Sequence, residues 1–196
     1  MPATPASNTF ASLDARLDNL RQRIQQPDFL HNRGLGNEIG FYVFDYPASR
    51  ELEVRDFVTR LKADRTLGCS VVERNLWDML LRVFEQLGIL DRIAALEERR
   101  GSEQLVSRIQ SIATPECIVS AMDDWPHQPG SDVLLVSGVG QAYPFVRAHS
   151  VLENAQHVFA DIPFVLLYPG VYTGHDLRLF GRLDDANYYR AFNLIS

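Results

Sequence analysis

The sequence predicts an α/β protein: a mostly parallel sheet with helices on both faces, Rossmann-like or P-loop-like but without a Walker A motif. Three observations predict it. Nearly continuous apolar runs such as "VLLVS" (133–137) and "PFVLLYPG" (163–170) suit strands buried on both faces. Segments with apolar residues every three or four positions lie between the runs. The order is helix, β-α-β, several helices, β-α-β and a tail, with crossovers expected to be right-handed.

Each element has a local reason. Phe10, Leu13, Leu17, Leu20 and Ile24 form one stripe of a first helix, with Pro27 at or just past its end. Gly34 and Gly36 mark a loop. "IGFYVFDYP" is rich in β-formers and ends at Pro47, so it reads as the first strand. Ser49 is placed to cap a helix whose Val54, Phe57, Val58 and Leu61 share a face. "CSVVERNL" reads as the second strand, and Asn75 as the N-cap of the helix carrying Leu76, Met79, Leu80, Val83 and Leu87. Gly88 suits the C′ position of that helix.

Three further helices follow: one ending at Arg99-Arg100-Gly101, one capped by Ser102, and one opened by Thr114-Pro115 that reaches toward Trp125. Residues 76–126 hold more helix than one crossover needs. They are predicted to form a helical insert, between the second and third strands, within a single α/β domain spanning 1–196. After the third strand, a helix opened by Pro144 carries Arg147 and His149. The tail "LRLFGRLDDANYYRAFNLIS" reads as two short β segments joined through 183–187, with a helix as the alternative for the second.

Composition narrows the function classes. Nineteen basic against twenty-five acidic residues give a net charge of −6, which disfavours a dedicated nucleic-acid binder. Lys62 is the only lysine; the arginine bias suits planar interface contacts, and GC-rich coding explains it equally well. Cys69 and Cys117 lack partners at metal-ligand spacing, so they read as small buried apolar residues in a reducing compartment, and no metal or cofactor is expected. The amino-terminal stretch lacks a signal-peptide pattern, and no apolar run approaches the length of a membrane span. A soluble, cytoplasmic protein is expected.

Ligands of such sheets sit beyond the C-terminal strand ends, and the candidate residues lie there. Asp45, Glu73, Ser137, Gly138 and Gly140 form a possible ligand pocket, with Arg74 joining Asp45 and Glu73 if the first two strands are adjacent. The Ser137-Gly138-Val139-Gly140 turn fails both phosphate templates. It has no P-loop lysine, and Tyr143 stands where the dinucleotide fingerprint needs a third glycine. A strand-to-helix turn is the plainer reading. No histidine pair has metal spacing, and no serine sits in a nucleophile-elbow pattern. In the C-terminal block, Tyr172, Phe180, Tyr188 and Tyr189 interleave with Arg178, Arg182 and Arg190. Such residues suit a protein interface, a nucleic-acid stacking surface or a local core.

Four blocks in order also carry a resemblance: "PDFLHNRGLGNEIGFYVFDYP", "LLVSGVGQAYPFVRAHSVLENAQ", "VLLYPGVYTGHDLRLFGRL" and "DDANYYRAF". Together they resemble the BrxB family of BREX bacteriophage-exclusion systems, over about residues 10–195. The recognisable positions are Arg33, Gly34, Gly36, Asn37, Asp45, Tyr46, Pro47, Gly138, Gly140, Arg147, Tyr168, Gly170, Leu179, Phe180 and Tyr188. The resemblance implies a non-catalytic component of an anti-phage island that also encodes an adenine methyltransferase, a large ATPase and an alkaline-phosphatase-like PglZ protein. It carries over no catalytic residue. It implies an adaptor that docks onto another BREX protein, most plausibly the PglZ-like one. A nucleotide-sensing or nucleic-acid-binding role in the same system is the alternative.

Overall fold

The computed structural model describes residues 12–32, 40–174, 176–185 and 192–194. Its strands are β1 (Phe41–Tyr46), β2 (Ser70–Asn75), β3 (Asp132–Ser137), β4 (Phe164–Tyr172), β5 (Leu177–Leu179), β6 (Leu183–Asp185) and β7 (Phe192–Asn193). The main path runs β2-β3-β4-β1-β7, and every neighbour pair along it is parallel. The α/β class and the parallel sheet are as the sequence predicts.

Side-chain alternation divides the sheet between two cores. Tyr42, Phe44, Val133, Leu135, Val165 and Leu167 face α1 (Leu13–Arg23), α2 (Pro27–Leu30) and α3 (Glu51–Ala63). Phe41, Val43, Leu134, Val136, Phe164 and Leu166 face the other layer. That layer contains α4 (Leu76–Gln86), α6 (Ser102–Ile112), α7 (Pro115–Met122), α8 (Val139–Ala142) and α9 (Ala148–Val158). Of the predicted insert, α4, α6 and α7 thus bury residues in the same core as the sheet. By contrast α5 (Ile93–Arg100) buries none. The chain crosses from β1 to β2 over one face and returns through β3 to β4 over the other, which gives these crossovers one hand.

Local rules set most boundaries. The Asn75 side chain accepts from the backbone N–H of Trp77 at 2.9 Å and starts α4. Gly88, at φ 62°, closes that helix. Thr114 caps α7 with Pro115 in its first turn, and the helix ends at Met122, short of Trp125. Other expectations need correction. Ser49 lies within a 3-10 turn, Ala48–Arg50, and makes no cap bond; α3 begins at Glu51 behind it. Ser102 is itself the first residue of α6, and its hydroxyl donates to Glu97. Pro144 does not open α9, which starts at Ala148. Pro27, just past the end of α1, also opens a short helix, α2, that carries Phe29 and Leu30. Leu183–Asp185, expected as a connection, is a strand. Cys69 is half-buried, but Cys117 is exposed.

At the edge strand β2, Arg74 ties the helical layer to the sheet. Its guanidinium donates to the Met122 carbonyl at 3.0 Å, pairs with Asp124, and lies 4.5 Å from the Trp125 ring centroid. The Arg82 hydrogen bond, with Arg74 alongside, holds Asp124 below the usual carboxylate range.

Replacing Asn75 by Ala should lower the unfolding free energy by about 1 kcal/mol, because two amides at the start of α4 lose their acceptor. Asn75→Ser should stay close to the parent, and urea denaturation followed by circular dichroism measures both.

Candidate functional site

An open α/β sheet receives ligands in the crevice where neighbouring strands send their connections to opposite faces. Here β1 sends its connection over one face and β3 over the other, so the change of face falls between them, at the C-terminal end of β4. β1 and β2 are not neighbours, because β3 and β4 separate them. Asp45 therefore does not meet Glu73 and Arg74, and the joint site that adjacency would have allowed does not form.

Asp45 is used on both oxygens. Its Oδ1 accepts from the Arg16 guanidinium at 2.6 Å, and its Oδ2 from the backbone N–H of Tyr172 at 3.1 Å. Both charged side chains are largely covered, at 18% and 19% exposure. The Arg16 guanidinium also lies over the Phe44 ring. Next along the chain, Tyr46 donates to Glu51 at 2.6 Å; burial and that hydrogen bond raise its hydroxyl far above the usual phenol range. A cleft of about 580 Å³ opens here, with Arg16, Asp45, Pro47, Arg50, Val171 and Phe180 on its wall. Its charged groups are already paired: Arg16 with Asp45, and Arg50 with Glu53.

Glu73, Ser137, Gly138 and Gly140 gather at the ends of β2 and β3. The Ser137 hydroxyl donates to Glu73 Oε1 at 2.6 Å, and Lys62 Nζ donates to Oε2 at 2.6 Å. Gly138 adopts φ 74°, and a Cβ there would come within 2.2 Å of the Asn75 side chain that caps α4. At Gly140 a Cβ would sit 2.9 Å from the Phe180 ring and 3.3 Å from Pro169. The glycines thus serve a tight turn and the close approach of the chain's own aromatic ring. The cavity beside them, between Tyr143, Arg147 and Arg182, holds about 190 Å³. Small-molecule sites typically start near ~300 Å³.

Phe180 arrives on an extension of the sheet. β4 runs past the last residue of β1, and its end, Gly170–Tyr172, pairs antiparallel with β5, which pairs in turn with β6. Phe180 and Gly181 turn the hairpin at φ 55° and 69°. A bulky side chain rarely takes that conformation. Phe180 stays 43% exposed and shares the cleft wall with Val171, at 45%; Leu183, at 40%, pairs with Leu179 on the opposite face of the hairpin from Val171. Arg178 and Arg182 are exposed as well. Tyr172 is a correction to the expected interface: it is buried, and its hydroxyl donates to the Gly174 carbonyl at 3.0 Å, so it supports the hairpin from within. Tyr188, Tyr189 and Arg190 lie outside the described residues, as do Arg33, Gly34, Gly36, Asn37 and His175.

Arg16, Val171 and Leu183 were not singled out from the sequence. Arg16 meets Asp45 only through tertiary packing. The exposure of Val171 follows from β4 outrunning β1, which its apolar sequence does not reveal. Among the described residues no group of three or more His, Cys, Asp or Glu could hold a metal, and no helix is long and apolar enough to cross a membrane.

Asp45→Ala should destabilise the fold by about 2 kcal/mol, since it leaves a half-buried guanidinium and the Tyr172 N–H without their acceptor. Asp45→Asn should cost less. Gly140→Ala should cost about 1 kcal/mol, and less in a Phe180→Asn background that removes the opposing ring. Chemical denaturation of the four proteins of that cycle measures the coupling.

Comparison with known proteins bears on this geometry. A family model described as "BREX protein BrxB" matches residues 72–194. A BREX protein BrxB from Bacillus cereus (strain H3081.97) is 35% identical over 191 residues, covering 93% of this chain and 97% of the relative. A second, from Escherichia coli O9:H4 (strain HS), is 32% identical over 187 residues, covering 93% and 92%. No solved structure matches. The match reaches from the strands that frame the crevice to the hairpin that overhangs it, and the chain belongs to the BrxB family of BREX proteins.

Proposed function

We propose that this BREX component is a non-catalytic adaptor, docking through the β4–β6 hairpin and the adjoining cleft onto the PglZ-like protein of its system. The observation that carries the reading is Phe180. The chain holds a phenylalanine at φ 55°, leaves it 43% exposed, and sets the exposed Val171 with it on the wall of one cleft. Backbone strain persists where function uses the position, and two exposed apolar side chains beside a cleft, with a polar rim, suit a protein partner. Arg178 and Arg182 supply that rim. The cleft beside Phe180 suits an apolar side chain of the partner better than a charged small molecule, because its own charges are already paired. The choice of the PglZ-like protein rests on the BREX assignment, since a BREX system supplies the partners.

The test is affinity purification of the tagged chain from cells expressing its whole operon. The PglZ-like protein should co-elute with the parent chain. Phe180→Asp should reduce its recovery by about tenfold or more. Aspartate tolerates positive φ better than phenylalanine, so this variant should keep the parent's circular dichroism and melting temperature. Absence of every other BREX protein from the eluate, or undiminished recovery with the folded variant, sinks the reading.

A further inference from the structure

A second surface, on the helical layer, has a different chemistry. α5 and α6 are joined through Gly101 alone. The groove along them has a volume of about 680 Å³. Leu96 and Leu105 contribute to an apolar floor, and Arg92, Arg99, Arg100 and Arg108 stand along the rim. None of the four arginines takes part in an ion pair among the described residues, and no carboxylate lines the groove. Arg16, Arg21, Arg74 and Arg82, by contrast, all pair with carboxylates.

Helical spacing explains the segregation. Arg92, Leu96 and Arg99 recur on one face of the segment that becomes α5, and Gln104, Leu105, Arg108 and Ile112 on one face of α6. Glu97, Glu98 and Glu103 are not among the lining residues. A chain of net charge −6 thus gathers four uncompensated cations around an apolar trough.

We infer that this groove binds an acidic amphipathic helix of a partner protein. The floor asks for apolar anchors spaced at three and four residues, and the rim asks for carboxylates flanking them. With 11 residues, α6 is about 16 Å long, so the trough accommodates roughly three turns of helix. Nucleic acid would satisfy the arginines but present no apolar stripe to Leu96 and Leu105, and the overall negative charge of the chain opposes it. The groove shares no residue with the hairpin surface, so either can fail without the other. Two docking surfaces of unlike chemistry would let one small protein bridge two components.

Fluorescence anisotropy with a synthetic helical peptide tests it. The peptide carries leucines at alternating three- and four-residue spacing, flanked by glutamates, and is titrated with the full chain. Saturable binding that weakens as salt rises is expected. Arg99→Glu combined with Arg108→Glu should weaken it by about tenfold or more, and Arg99→Gln with Arg108→Gln by less. These side chains are exposed, so both variants should keep the parent's circular dichroism. A control peptide with lysines in place of the glutamates should not bind. No binding of the acidic peptide, equal binding of both peptides, or unchanged affinity in the folded glutamate variant overturns the inference. So does displacement of the peptide by duplex DNA, which would assign the arginines to phosphate. Self-association of the parent that the glutamate variant abolishes would also overturn it, by assigning the groove to a second copy.

Discussion

Asp45 closes the C-terminal end of β1 with one carboxylate and two donors. One donor is Arg16, 29 residues away on α1; the other is the amide of Tyr172, 127 residues away at the end of β4. A partly buried carboxylate is tolerable only when its lone pairs and charge are met, and here both conditions hold. The consequence is architectural. β4 outruns β1, and the Tyr172 amide in that overhang would otherwise lack the partner that Asp45 supplies. With the overhang fixed, β5 and β6 can pair onto it, and Phe180 is delivered over Gly140. One side chain at a place where α/β proteins hold ligands has become a brace for a hairpin that leans across the neighbouring turn.

Arginine use follows a related logic across the molecule. Arg16, Arg21 and Arg74 reach carboxylates far away in sequence; Arg16 and Arg74 fasten a helix or loop to the sheet, and Arg21 fastens α1 to the end of α3. Arg74 is the most elaborate, because it also satisfies a helix-end carbonyl and covers an indole ring. The planar guanidinium makes these multiple contacts possible where an ammonium would make fewer. The arginines of the α5–α6 groove make none of them, although they come from the same acidic chain. Net charge therefore says little about where the free cations stand; helical periodicity and the fold decide that.

The candidate site is partly legible in the sequence. Strand-end position alone points to Asp45, Glu73, Ser137, Gly138 and Gly140; the structure places the first three in the last residues of their strands and the two glycines at the start of α8. It divides them between two places, however, because the chain inserts β3 and β4 between β1 and β2. The missing lysine and third glycine already argued against a phosphate loop. The positive reason for the glycines, a capping asparagine on one side and an aromatic ring on the other, joins residues too far apart for spacing to reveal. Tyr172 shows the opposite error: an aromatic beside arginines reads as a surface residue, yet alternation on the β4 overhang turns it inward.

By itself the sequence determined the element types, most of the caps and the family. These depend on local energetics: periodic burial, an asparagine accepting from nearby amides, a proline in the first turn of a helix, and ordered blocks of similarity. Tertiary structure alone decided the strand order, the engagement of Asp45, the burial of Tyr172 and the exposure of Phe180. These depend on which distant segments become neighbours, and a parallel sheet leaves that choice to long crossovers whose destinations no local pattern encodes.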